Sequence, residues 1–98
     1  MTRNAVPESV LLLADPDVLA TEFGDEVVLL NLRDGVYYGL EGVGALIWRM
    51  LRRPVTMKAI CDAIVEGYDV DRGRCERDVH SIIGNLTNHG LVSIRDDR

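Results

Sequence analysis

The sequence predicts an α+β domain, a three-stranded antiparallel β-meander followed by a three-helix bundle in a winged helix-turn-helix-like arrangement. Three observations predict it. Before Gly42, strand-like apolar stretches are separated by two short turn signals. After Gly42 the apolar period changes from two to 3.6 and holds through three stretches. The length, 98 residues, allows one compact domain and no more.

Residues 1–16 read as an N-terminal lead-in and 17–95 as the domain. Pro7 and Pro16 bracket Val10-Leu11-Leu12-Leu13, expected to lie along the domain as an extended piece. Val18 to Phe23 is the first strand of the meander, and Gly24-Asp25 turns it. Glu26 to Leu32 is β-branched and leucine-rich, a second strand. Arg33-Asp34-Gly35 closes a hairpin, because glycine reaches positive φ at no steric cost. Val36 to Leu40 is the third strand, so the meander ends on it.

The first helix carries Val43, Leu46, Ile47, Met50 and Leu51 on one face, with Trp48 at the edge of that stripe, and Pro54 ends it. Thr56 caps a second helix with the stripe Met57, Ile60, Cys61, Ile64 and Val65, and Gly67 offers a stop. Asp71 caps a third, whose stripe is Cys75, Val79, Ile82, Ile83 and Leu86 and whose stop is Gly90. Val92 and Ile94 alternate with polar neighbours, as in a short terminal strand.

Chemistry-bearing constellations are absent. His80 lies off the third helical stripe, and His89 adjoins the stop at Gly90, where a partly charged imidazole suits a helix C-terminus. Neither falls in a nucleophile motif. Gly39, Gly42 and Gly44 follow a hairpin strand rather than opening a crossover unit, which argues against a phosphate loop. Cys61 and Cys75 form no CxxC pair and read as buried apolar residues of a reducing compartment, with a metal site or a disulfide as the alternatives. No catalytic residue, metal or cofactor is expected. The run from Val10 to Ala14 is too short to span a membrane, and Met1 to Glu8 is polar, unlike a signal peptide, so the expected location is cytoplasmic. The formal net charge of −5 disfavours nucleic acid. A winged-helix DNA-binding regulator is nevertheless the second reading. Arg72, Arg74 and Arg77 on the third helix support it, while Asp71, Glu76 and Asp78 interleave with them. An adaptor domain of a larger enzyme is the third.

The segment Val27-Val28-Leu29-Leu30-Asn31-Leu32-Arg33-Asp34-Gly35-Val36-Tyr37-Tyr38-Gly39-Leu40, followed by Val43-Gly44-Ala45-Leu46-Ile47-Trp48, resembles the start of PqqD-like proteins, the RiPP recognition elements. Tyr68-Asp69-Val70-Asp71 leading into Asp78-Val79 also fits, as does the close on Leu86, Gly90, Leu91 and Val92. The likeness covers roughly Val18 to Ile94 and is nearest to the stand-alone versions of lasso-peptide biosynthesis. It departs at Glu41, where the family usually has asparagine, and at Gly84, inside the third helix.

The resemblance implies non-catalytic binding of the leader of a ribosomally made precursor peptide. The leader would be delivered to a transglutaminase-like cysteine peptidase, with a lasso cyclase as a further partner. Independently of the resemblance, an exposed sheet edge can pair with itself, so a monomer or a weak homodimer is expected. The leader would add as a strand beside the third strand, involving Val36, Tyr37, Tyr38, Gly39 and Leu40. Cys75, Val79, Ile82 and Leu86 would form the opposite wall, with Arg74 and Asp78 at its rim. Alternation puts Val36, Tyr38 and Leu40 on one face and Tyr37 on the other. Leu40 and Ile83 also read as core, whereas Tyr38, Val79 and Ile82 fit wall and core equally.

Overall fold

The structure is a computed structural model that describes residues 10–95. Its elements are β1 (Leu11–Ala14), β2 (Val18–Phe23), β3 (Glu26–Asn31), β4 (Val36–Leu40), α1 (Val43–Met50), α2 (Met57–Gly67), α3 (Arg72–Asn88) and β5 (Val92–Arg95). The polar Met1–Glu8 stretch and Pro7 lie outside the described residues.

Two glycines at positive φ, Gly24 (59°) and Gly35 (73°), return the chain on itself and give an antiparallel sheet ordered β2-β3-β4. β3 ends at Asn31, one residue earlier than the pattern suggests. The Asn31 carbonyl takes the Gly35 N–H (2.8 Å), while the Leu32 N–H turns back to Asp17 O (2.9 Å). Val27, Leu29 and Asn31 are buried under the helices. The opposite face of the sheet exposes Leu19, Phe23 and Tyr37.

Within the segment read as a lead-in, β1 pairs antiparallel with β5, Leu12 opposite Ile94 and Ala14 opposite Val92. Leu12 is fully buried, and its backbone also exchanges both hydrogen bonds with Val55 (2.7 and 2.9 Å). Leu12 is therefore part of the core, with Ala14 packed against it, and strand pairing ties the segment into the fold.

The helices start where their caps dictate. Thr56 Oγ1 accepts from the Ala59 N–H (3.1 Å), and Asp71 Oδ2 accepts from the Arg74 N–H (3.0 Å). Gly67 is the last residue of α2 rather than its stop, because the chain leaves in extended form at Tyr68. α3 ends in a Schellman motif, with Leu91 N–H bonded to Leu86 O (2.9 Å) and Gly90 N–H to Thr87 O (3.0 Å). Trp48 is buried rather than at the stripe's edge, because α1 packs against both the sheet and α2. One apolar core joins Leu12, the inner face of β3 and all three helices.

Candidate functional site: the β4 edge and the α3 recess

Hydrogen-bond direction alternates along an antiparallel strand, so one bond sets the rest. Gly35 N–H reaching Asn31 O points the Asn31 backbone toward β4. The register pairs Asn31 with Val36, Leu29 with Tyr38 and Val27 with Leu40. Val36, Tyr38 and Leu40 therefore turn their backbone toward β3, and Tyr37 and Gly39 turn theirs to the free edge. Val36 N–H is further held by Asp34 Oδ1 (2.9 Å). The same register puts the Val36, Tyr38 and Leu40 side chains on the face of buried Val27, Leu29 and Asn31, with Tyr37 and Gly39 opposite.

Among the described residues the sheet has two unpaired edges, on β2 and β4. On β2, the exposed Glu22, on the helix side of the sheet by register, is tied to Arg49 of α1 (2.8 Å). The β4 edge lies by α3. The Tyr38 ring meets His89 edge-on, centroids 5.2 Å apart, at the C-terminus of α3. Beyond β4, Val43 reaches the N-terminal half of α3, where a recess of about 610 Å³ opens. The recess is walled by Val43, Ile64, Val70, Cys75, Val79 and Ile82, with Asp69, Asp71, Arg74, Asp78 and Ser81 completing its lining.

Of the residues read from the sequence as site, Arg74, Cys75, Asp78, Val79 and Ile82 come together around this recess. Val36, Tyr37, Tyr38, Gly39 and Leu40 form the neighbouring edge strand. Leu86 is buried in the core and does not line the recess. The sequence reading missed Val43, Ile64, Asp69, Val70, Asp71 and Ser81, and the contact of His89 with Tyr38. Of these, Val43 and Ile64 carried an apolar-stripe signal only, which says core rather than recess.

Burial pushes the Cys61 thiol up to about 11, and neighbouring Cys75 adds to the effect, so Cys61 stays a neutral thiol at physiological pH. Both cysteines are buried and free. His89 Nδ1 lies 2.8 Å from Asn85 O, a local bond at the helix end. No group of three or more His, Cys, Asp or Glu among the described residues is placed to hold a metal ion. Nor is any described helix long and apolar enough to cross a membrane. What the geometry offers is a row of unpaired backbone groups beside an apolar recess, a place for an extended peptide.

Comparison with known proteins agrees with this outline. A solved structure described as TbiB1 in complex with the TbiA(beta) leader peptide is 38% identical. The match covers 87% of this chain and 99% of that one, with a TM-score of 0.81. A second, lasso peptide synthetase B1 complexed with the leader peptide, shares the fold at 24% identity, TM-score 0.75, over 84% and 96% of the two chains. No curated protein sequence matches the chain. The family model of coenzyme PQQ synthesis protein D matches residues 26–92, a span from the start of β3 to the start of β5 that takes in β4 and all three helices, and the chain therefore belongs to the PqqD family.

Proposed function

We propose that this chain is a non-catalytic recognition element that binds the leader of a lasso-type precursor peptide by strand addition to β4. It presents the bound leader to a separate cysteine peptidase in the cytoplasm. The observation that carries the reading is the unpaired β4 edge lying beside the α3 recess, in a chain 38% identical to one solved with a leader peptide. A peptide strand pairs with the Tyr37 and Gly39 backbone, and its side chains on the inner face enter the recess.

The winged helix-turn-helix outline of α2 and α3 is the rival reading. Arg72 is bound to Asp62 and Glu76 and so is engaged inside the domain, while Arg74 faces Asp78 at 3.8 Å. Calorimetry with a synthetic lasso-type leader peptide tests the proposal, followed by mass spectrometry of the mixture. Binding with the peptide intact is expected. Cleavage by this protein alone would overturn the reading. So would tight duplex-DNA binding with a steep dependence of log K on log salt.

A further inference from the structure

The recess at the N-terminal half of α3 has a charge pattern of its own. Its walls are apolar, while its rim carries three carboxylates, Asp69, Asp71 and Asp78, against one guanidinium, Arg74. Arg74 offsets Asp78 only loosely, at 3.8 Å with both side chains largely exposed. Asp71 bonds the Arg74 backbone N–H as the helix cap, which leaves its negative charge in place. Asp69 enters no salt bridge among the described residues. The rim is thus net negative around a recess of about 610 Å³. A second copy of this chain, with a net charge of −5, would bring the wrong sign to it.

We infer that the recess selects a leader in which an apolar anchor residue is flanked by lysine or arginine, the anchor filling the space between Val43, Val79 and Ile82 and the cation meeting Asp69 and Asp78. The inference rests on the strand-addition reading and assigns the chemistry of one end of the bound peptide. Position supports it. Val43 lies just past the end of β4, so a peptide paired along β4 runs out of strand where the recess opens. Exposed ion pairs act mainly as a preference between similar peptides, and salt weakens them.

The test uses the full chain and three synthetic lasso-type leader peptides, with residues flanking the apolar anchor set to lysine, glutamine or glutamate. Affinities at low ionic strength are expected to fall in that order, about threefold or more per step, and to converge as salt rises. On Asp69→Lys/Asp78→Lys protein, shown folded by circular dichroism, the order should invert. Equal affinities for the three peptides, or an order unchanged by the double substitution, would overturn the inference while leaving strand addition standing. Failure of all three to bind would overturn both.

Discussion

Asn31 is the one buried polar side chain among the described residues, and both ends of its amide are bonded. Nδ2 donates to His89 O (3.0 Å), and Oδ1 accepts from the Arg33 N–H (3.0 Å). It thereby pins the start of the β3–β4 turn to the end of α3. Asn31→Leu leaves both partners without the amide, and urea denaturation should show a loss of about 1–3 kcal/mol. Single backbone groups matter as much on β4. Tyr37→Pro and Gly39→Pro remove an N–H from the free edge, so these variants should stay folded by circular dichroism. They should bind leader roughly tenfold or more weakly, since one lost bond and one stranded carbonyl together reach about 1.5–4.5 kcal/mol. Tyr38→Pro removes a bond to β3 and should unfold at lower urea. Normal leader binding by both edge variants would sink the strand-addition model. The alternation of Val36, Tyr38 and Leu40 was legible in the sequence because a strand has period two. That Tyr37 and Gly39 are the residues whose N–H turns outward was not, because it depends on how the turn at Gly35 closes.

At the scale of elements, the meander and the helices were readable because each announces itself locally, by a turn glycine, a cap or a stripe. The β1–β5 ribbon was not, since its halves are far apart in the sequence and each is too short to signal a partner. The recess escaped for the same reason, being assembled from α1, α2, α3 and the 68–71 connection. Gly84 looks like a flaw in α3 and tests whether the family departure is structural. A Cβ built there meets nothing within 4 Å. Gly84→Ala should therefore stabilise the protein by about 0.5–1 kcal/mol in thermal or urea melts and leave leader affinity unchanged. Gly90 is the opposite case. Its φ is +72°, and an added Cβ would stand 2.9 Å from Arg33 Nη2, so that glycine is required by the α3 stop.

Over the whole molecule, stability should follow a small set of carboxylates. The Asp17 N–H holds the Asp15 carboxyl below its ordinary value against an opposing effect of burial, and Ser93 Oγ and Arg33 add to the lowering. Lys58 and then Arg72 do the same for Asp62, linking α2 to α3. A carboxyl depressed in the folded state stabilises it above the unfolded-chain value, about 3.9 for aspartate, and loses that contribution as pH falls through the folded value. Urea midpoints should thus be level from neutral pH to about 5 and decline below about 4. Asp15→Asn should flatten part of that decline.

The ribbon of β1 and β5 sets Leu11 directly across from Arg95, on strands about 5 Å apart. A few glycines could join Arg95 to Leu11 and close the backbone into a ring, while the exposed bend at Arg52-Arg53 offers a place to reopen it. Neither cut nor joint touches β4 or the recess. Such a circular permutant should fold and bind leader as the parent does, and the domain could equally be spliced into the loop of another protein with its peptide-binding edge facing outward.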